Sequence, residues 1–333
     1  MNTVGWIEVH RSRQGGVLYG DMAKKALSKE FVVDLVAREA KLFRWVRYLR
    51  LPESFVRLLF LKGKRDIWVR DILSVVTAGF DRTQGKNVAV IFHHDFSGFP
   101  LFARPFFALL HKPLFFWKLR RMDAIVVISE FWKRYFTERG YKNIILIHVG
   151  FDLEYYDAVY EEEVQSFCEQ YGLVGKPIVY LGNCQEAKGV VEAYHALKGL
   201  DVHLVTSGAQ KVHIPARNLD FADHREYLQL LNASSCALTM SKFKEGWCMT
   251  AHEAMLMKTP VIGSGKGGMR ELFEGGGQII CEDFLKLRES VISLLNDSVS
   301  RKKIGELGYA YARQFPLERF ERAWLDAVHK LLP

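Results

Sequence analysis

Residues 236–263 of the chain are CALTMSKFKEGWCMTAHEAMLMKTPVIG. The apolar run 236–240 predicts a buried strand, the spacing of apolar residues over 250–257 predicts a helix, and 260–263 predicts a second strand. A strand–loop–helix–strand unit implies two parallel strands joined by a right-handed crossover. The stretch therefore predicts an α/β fold built on a parallel sheet.

Two acidic residues lie close together in this unit. Glu245 falls in the loop after the first strand, and Glu253 falls in the early turns of the helix. Parallel sheets place their ligand sites at the carboxyl ends of the strands, and a helix N-terminus favours anions such as phosphate. The spacing predicts two carboxylates facing one crevice. It equally allows a solvated Glu245 and a Glu253 that only complements the helix dipole.

These residues resemble a known signature. Glu245, seven intervening residues, Glu253, a small residue and a methionine, followed by TPVIGS at 259–264, are similar to the donor site of family 4 of the retaining glycosyltransferases (group 1). Residues 267–271, GGMRE, resemble that family's next loop. The resemblance covers nearly the whole chain. It implies the GT-B fold, in which two Rossmann-like domains with parallel sheets face each other across a cleft.

The resemblance also implies an activity. Family members are metal-independent and move a sugar from a nucleotide diphosphate sugar to an acceptor hydroxyl, so we expect no cofactor apart from the donor substrate. Glu253 is expected to hold the ribose hydroxyls, and Glu245 to bond sugar hydroxyls near the anomeric carbon. Further expected donor contacts are Gly15, Gly16, Gly182, Asn183, Lys188, Gly246, Trp247, Cys248 and Met249.

Two positions depart from the family pattern. Asn183 stands where the family commonly has an arginine, and Cys248 where it commonly has a glycine, although Lys188 matches. Loss of a fixed cation weakens diphosphate binding and stabilisation of the leaving group. These departures keep open the alternative of a catalytically silent GT-B partner or regulatory subunit. A sugar-nucleotide epimerase, which needs no acceptor, is a further alternative.

The chain of 333 residues is long enough for two domains, each with its own core. We expect an acceptor-side domain over 1–152, a nucleotide-sugar domain over 153–312, and a terminal helix over 313–333 that returns to the first domain. The acidic, polar run 152–163 is the expected linker. Near the N-terminus, a strand over 4–9, a glycine-bearing loop and a helix from Val17 resemble the family's first loop, which faces donor phosphate and acceptor.

A pair of histidines follows a predicted strand over 88–92. The family carries a histidine there that contacts the transferred sugar, and the match falls on either His93 or His94. A loop histidine at a strand end can handle protons or serve as a polar partner. The alternative is a purely structural role.

Charge is unevenly distributed along the chain. Residues 1–150 hold 26 of the 46 Lys and Arg and 13 of the 38 Asp and Glu, so this half carries a net charge of +13 and the rest −5. The five cysteines show no metal-ligand spacing and predict reduced thiols in a cytoplasmic protein. The sequence has no stretch of about 18 uncharged apolar residues of the kind that spans a bilayer.

Basic and aromatic residues are concentrated in two segments, 41–65 and 96–121. Basic amphipathic helices and aromatic residues of this kind often lie on anionic membranes. We therefore expect a lipid-linked or membrane-associated glycan acceptor and hypothesise peripheral contact with the inner face of the membrane. The alternative for 41–65 is a core helix with a solvated basic face. No recognisable nucleic-acid-binding module accompanies these residues, so we expect no nucleic-acid partner.

Overall fold

The computed structural model describes residues 1–8, 15–37, 42, 45, 50–92, 109 and 111–332. The chain divides into two compact units. The N-terminal unit comprises residues 1–150 and 317–333, and the C-terminal unit comprises residues 151–316.

The described strands of the N-terminal unit form one parallel sheet. They are β1 (Thr3–Glu8), β2 (Val32–Ala37), β3 (Lys62–Arg70), β4 (Arg82–Ile91), β5 (Ala124–Val127) and β6 (Ile144–Leu146), in the order β2-β1-β3-β4-β5-β6. All four residues of β5 are buried. This is typical of a central strand that is covered by helices on both faces.

Helices connect these strands. They are α1 (Gly15–Leu27), α2 (Arg50–Leu59), α3 (Lys112–Leu119) and α4 (Glu130–Thr137), and a 3-10 turn covers Ser74–Thr77. Gly15 and Gly16 belong to the first turn of α1 rather than to the loop predicted before Val17. The predicted basic segment 41–65 is divided, because its last residues from Lys62 onward are part of β3.

The described strands of the C-terminal unit form a second parallel sheet. They are β7 (Ile178–Asn183), β8 (His203–Ser207), β9 (Arg217–Leu219), β10 (Cys236–Thr239), β11 (Val261–Gly263) and β12 (Ile279–Ile280), in the order β12-β11-β10-β7-β8-β9. The helices of this unit are α5 (Leu153–Asp157), α6 (Glu161–Gln170), α7 (Val190–Leu197), α8 (His224–Ala233), α9 (Met249–Leu256), α10 (Met269–Gly275), α11 (Phe284–Asn296) and α12 (Ser298–Ala312).

The stretch 236–263 forms the predicted unit. It is β10, a loop, α9 and β11, and the two strands pair in parallel with Ala237 opposite Val261. The predicted α/β fold with parallel sheets is thus confirmed. The strands β8 and β9 lie on one side of β7, and β10 to β12 lie on the other. The strand order therefore reverses between β7 and β10, the place where open α/β sheets bind ligands.

The stretch 152–163, which is the expected linker, is partly helical. It contains α5 and the start of α6, and Tyr156 in α5 is buried. The reason is that Tyr156 packs its ring against Phe151, with ring centroids 5.7 Å apart, so an apolar contact orders a stretch whose composition is acidic.

The last helix, α13 (Leu317–Leu331), belongs to the N-terminal unit. Its apolar face recurs at helical spacing, and Phe320, Trp324 and Val328 are buried. The Phe320 ring lies 5.0 Å from that of Tyr19 in α1, and the Trp324 ring lies 5.5 Å from that of Trp6 in β1.

Candidate functional site

The loops that follow β7 and β10 are joined at the point where the strand order reverses. The backbone N–H of Lys242 donates to the carbonyl of Ala187 over 2.9 Å. Gly189 makes this approach feasible, since its φ is +73° and a Cβ there would lie 2.3 Å from the carbonyl oxygen of Met240. The two loops therefore present their side chains to one another.

Lys188 and Glu245 form the centre of this junction. The Lys188 Nζ lies 2.6 Å from Glu245 Oε1, and the Ser241 hydroxyl donates to the same oxygen over 2.5 Å. The Glu245 side chain is only 10% exposed, so Glu245 is not a solvated loop residue. Burial lowers the pKa of Lys188, but the charge of Glu245, the nearby Cys248 and the hydrogen bond to Glu245 together outweigh it, and the net shift is upward. The lysine is therefore held as a cation.

The loop after β11 fixes the backbone of Glu245. The Glu245 N–H donates to the Lys266 carbonyl over 3.1 Å, and the Gly268 N–H donates to the Glu245 carbonyl over 2.9 Å. These bonds form an isolated parallel bridge between Glu245 and Gly267. The glycine pair singled out in the sequence thus supports the acidic loop.

Cys248 is the N-cap of α9 and adopts a left-handed conformation, with φ +94° and ψ +76°. Few residues other than glycine adopt it without strain, which is a physical reason for glycine at such a position. Burial, and after it the Glu245 carboxylate, raise the pKa of the Cys248 thiol to about 12. The thiol is therefore protonated at neutral pH and is a poor nucleophile.

Trp247 turns its side chain into the protein. Its indole N–H donates to His252 Nδ1 over 3.1 Å, and the ring is 2% exposed. Its backbone is therefore the part that is able to face a ligand. Gly246 is buried beside it, and Met249 is the first residue of α9.

Glu253 is buried in α9, with 5% of its surface exposed. Two donors meet at its Oε1: the Tyr156 hydroxyl at 3.1 Å and the His224 Nε2 at 2.9 Å. A residue that merely complements the helix dipole would not need such partners. Glu245 and Glu253 thus lie on either side of the Trp247–Cys248 turn, and each has its own set of partners.

Neither Tyr156 nor His224 was expected from the sequence to belong to the site. Tyr156 lies in the run taken for a linker. His224 directly follows Asp223, whose carboxylate caps α8 by accepting the Arg225 N–H over 3.0 Å. An aspartate is a common N-cap residue, so Asp223 is the sequence signal that places His224 at the start of a helix.

Asn183 ends β7 in a neutral environment. The Tyr180 and Ser207 hydroxyls each lie 3.2 Å from Asn183 Oδ1, and they lie 2.7 Å from each other. Gly182 precedes it with φ +105°. Asn183 therefore brings no charge to the edge of the sheet, and Lys188 provides the cation of this loop.

In the N-terminal unit, Gly15 and Gly16 begin α1, where backbone N–H groups are available at a helix start. His93 and His94 lie outside the described residues. The proposed role of either histidine stays a prediction.

Neither a metal cluster nor a membrane-spanning helix occurs in the part of the chain that the structure describes. No three His, Cys, Asp or Glu side chains there are grouped so that they could bind a metal ion. No helix there is long and apolar enough to cross a bilayer. Metal independence itself stays a prediction.

The profile of the family described as Glycosyl transferases group 1 matches residues 175–311, and that of Glycosyltransferase Family 4 matches residues 19–155. An uncharacterized glycosyltransferase of Methanocaldococcus jannaschii is 26% identical over 211 residues, which are 59% of this chain and 56% of that protein. The match thus spans little more than half of the relative's length.

Two solved structures share the fold. Sucrose-phosphate synthase from Thermosynechococcus elongatus is 16% identical with a TM-score of 0.77, and 99% of each chain is covered. HepE of Anabaena, solved in complex with UDP and glucose, is 15% identical with a TM-score of 0.75, and 99% of this chain and all of that one are covered. The two family profiles match successive stretches of the chain, and the fold matches along nearly its whole length, so together they support a group 1 glycosyltransferase with the two-domain GT-B architecture.

Proposed function

We propose that the protein is a retaining glycosyltransferase that moves a sugar from a nucleotide diphosphate sugar to an acceptor hydroxyl. The observation that carries this proposal is the ion pair of a partly exposed cation, Lys188, with the buried Glu245 where the strand order of the C-terminal sheet reverses. A second buried carboxylate, Glu253, lies in the helix that follows the Glu245 loop. This combination suits a ligand in which a diphosphate links a sugar at one end to a ribose at the other.

The roles follow from the charges that develop during transfer. Breaking the bond between the anomeric carbon and the diphosphate oxygen leaves negative charge on the diphosphate and positive charge on the sugar ring. Lys188 and the N–H groups at the start of α9 stabilise the first, and Glu245 lies beside the second. When the donor binds, Lys188 exchanges part of its contact with Glu245 for the diphosphate, and Glu245 accepts hydrogen bonds from sugar hydroxyls.

The acceptor completes the reaction. Its hydroxyl oxygen forms the new bond to the anomeric carbon on the face that the diphosphate leaves, and its proton passes to the departing phosphate oxygen. This route retains the anomeric configuration and needs no protein base and no metal ion. An NMR spectrum of the product that shows an inverted anomeric carbon would exclude it.

A nucleotide screen tests the donor assignment. We expect one of UDP, GDP or ADP to raise the melting temperature, and UDP is the first choice because HepE of Anabaena, a neighbour in fold, was solved with it. Glu253→Ala should raise the dissociation constant of the nucleotide about 10- to 100-fold, since a hydrogen bond to a charged group is lost. Glu306→Ala, which removes an exposed carboxylate on α12, is the matched control and should leave binding unchanged. Equal nucleotide-dependent stabilisation of Glu253→Ala and wild type would refute the ribose role.

The silent-partner alternative is favoured by one observation, the neutral setting of Asn183. Release of nucleotide from a nucleotide sugar distinguishes the two functions. An intact protein that binds the nucleotide but never releases it from any tested sugar donor would support a partner or regulatory subunit. Interconversion of the sugar without an acceptor, seen by NMR, would indicate an epimerase.

We further propose that the acceptor is a glycan presented at an anionic membrane. Exposed apolar side chains on and around α2 and α3 support this: Val56, Phe60, Phe80 and Trp117 are between 44% and 77% exposed. Both helices pack against the 3-10 turn Ser74–Thr77, so these residues belong to neighbouring elements. The Arg121 guanidinium lies 4.0 Å from the centre of the Trp117 ring, which provides positive charge beside an aromatic residue.

Vesicle flotation tests this proposal. We expect the wild-type protein to float with phosphatidylglycerol vesicles and not with phosphatidylcholine vesicles. The double substitution Phe60→Ser and Trp117→Ser should abolish flotation, because both side chains are lost from the membrane-facing side. Leu285→Ser, which removes an 89% exposed leucine of the C-terminal unit, is the control. A wild type that shows no preference for anionic vesicles would contradict the proposal.

A further inference from the structure

One oxygen of the Glu253 carboxylate is occupied by the protein itself. The Tyr156 hydroxyl and the His224 Nε2 lie 3.1 and 2.9 Å from Oε1, and the described residues give Oε2 no hydrogen-bond donor. An ionised carboxylate offers about four acceptor sites, two on each oxygen. Here both donors lie at the same oxygen, so the carboxylate has one oxygen bound by the protein and one available to a ligand.

Three different helices hold this arrangement. Tyr156 lies on α5, His224 begins α8, and Glu253 lies on α9. Rotation of the carboxylate would break two hydrogen bonds at once. The two donors therefore restrict the side chain to one orientation, although neither is adjacent to Glu253 in sequence.

The imidazole of His224 is itself held in place. Its ring lies parallel to that of Tyr155, with centroids 5.8 Å apart and 13° between the planes, and it lies edge-on to Tyr156 at 6.2 Å. The backbone at His224 is fixed by the Asp223 cap at the start of α8. The His224 side chain is 42% exposed, so aromatic contacts and the helix cap, rather than burial, hold the ring.

We propose that Tyr156 and His224 are positioning residues that orient Glu253 so that its Oε2 accepts the hydrogen bonds of the donor's ribose hydroxyls. The inference rests on the proposed function, because it assumes that Glu253 binds ribose. A vicinal diol needs an acceptor in one defined place, and an oriented carboxylate provides it without an entropic cost at the moment of binding.

The protonation states agree with this role. Burial, and after it the Glu253 carboxylate, raise the pKa of Tyr156 well above its usual value, so the hydroxyl stays a donor at physiological pH. Burial lowers the pKa of His224, but its bond to Glu253, the charge of that carboxylate and the charge of Asp223 together outweigh it, and the net shift is upward. An ionised carboxylate only accepts hydrogen bonds, so both groups donate to Glu253 when it is ionised.

Binding of two nucleotides distinguishes a positioning role of Tyr156 and His224 from a role in folding. The dissociation constants of UDP and of 2′,3′-dideoxy-UDP are measured by calorimetry for the wild type, Tyr156→Phe and His224→Ala. If these hydrogen bonds orient Glu253 toward the ribose, the loss of one of them should weaken UDP binding about 3- to 10-fold in each variant. Dideoxy-UDP, which lacks both hydroxyls, should bind all three proteins within about 2-fold of one another.

The controls come from the same unit. His224→Gln keeps an N–H near the position of Nε2 and should restore part of the UDP affinity. Tyr171→Phe removes a comparable bond, from the Tyr171 hydroxyl to Glu226 at 2.9 Å, and should leave both affinities unchanged. Since His224 is on the surface, its variants are expected to fold even where Tyr156→Phe is less stable.

The outcomes distinguish the inference from the proposed function. Equal losses for UDP and dideoxy-UDP, or no loss in Tyr156→Phe and His224→Ala while Glu253→Ala weakens UDP binding, would overturn the positioning role alone. A wild type that binds none of UDP, GDP and ADP would overturn the proposed function and the inference together.

Discussion

Gly267 supports the acidic loop by having no side chain. Its φ is +71°, and a Cβ there would lie 2.4 Å from the carbonyl oxygen and 2.8 Å from the backbone nitrogen of Glu245. Any other residue would push Glu245 away from Lys188 and Ser241. The position of the central carboxylate thus depends on a glycine 22 residues further along the chain.

We therefore predict that Gly267→Ala weakens nucleotide-sugar binding at least about 10-fold and lowers the melting temperature. Gly208→Ala is the matched control, because Gly208 also has a positive φ, +75°, but a Cβ there meets nothing within 4 Å. The control should show only the backbone strain, about 1–2 kcal/mol of unfolding free energy. Calorimetry and urea denaturation measure the two effects. Similar nucleotide-sugar binding by both variants would show that the close contact at Gly267 does not determine the position of Glu245.

At the scale of secondary structure elements, a buried ion pair joins β3 to β4. The Arg70 guanidinium lies 2.8 Å from the Asp81 carboxylate, and both side chains are fully buried. The same guanidinium donates to Asn87 Oδ1 over 2.6 Å and to Thr83 Oγ1 over 2.8 Å. Burial lowers the pKa of Arg70, and the Asp81 carboxylate opposes that shift. This network holds the end of β3 against the residues at the start of β4 and within it.

Asp81→Asn should lower the free energy of unfolding by about 3–5 kcal/mol, since it leaves the buried Arg70 charge without its partner. Glu130→Gln breaks the exposed pair of Glu130 with Lys133 at 3.1 Å and should cost less than about 1 kcal/mol. Urea denaturation of both variants provides the comparison. A cost below about 1 kcal/mol for Asp81→Asn would mean that the network tolerates loss of the charge.

At the scale of the whole molecule, the polypeptide returns to the N-terminal unit after the C-terminal unit. The helix α13 packs on α1, and its residues Phe320, Trp324, Ala327 and Val328 are buried in the N-terminal unit. The backbone at Gly150 lies so close that a Cβ there would come within 2.5 Å of Phe320. The stability of the N-terminal unit therefore depends on a helix that follows the whole C-terminal unit in the sequence.

Trp324→Ala should destabilise the N-terminal unit by about 3–5 kcal/mol, the usual cost of truncating a buried tryptophan. Hydrogen exchange should show lost protection in β1 and α1 and unchanged protection in residues 151–316. Asp326→Ala, an exposed position on the same helix, should cost less than about 0.5 kcal/mol. Equal loss of protection in both units would show that the helix stabilises the whole chain rather than one unit.

Local sequence determined the element types and the family. The period of residues 236–263 predicted β10, α9 and β11, because a strand and a helix each impose their own spacing on buried side chains. The family motif lies within the same stretch, where the spacing of Glu245, Glu253 and Met255 is a property of the chain itself. The predicted roles of His93 and His94 lie outside the described residues and stay predictions.

Tertiary structure alone decided which side chains meet. Tyr156 and His224 come to Glu253 from 97 and 29 residues away, and Lys188 comes to Glu245 from 57 residues away. Periodicity reports which face of an element is buried, but it does not report which elements become neighbours. That depends on the order β12-β11-β10-β7-β8-β9, which sets the loops after β7 and β10 side by side. The sequence thus determined the two carboxylates, and the sheet order determined their partners.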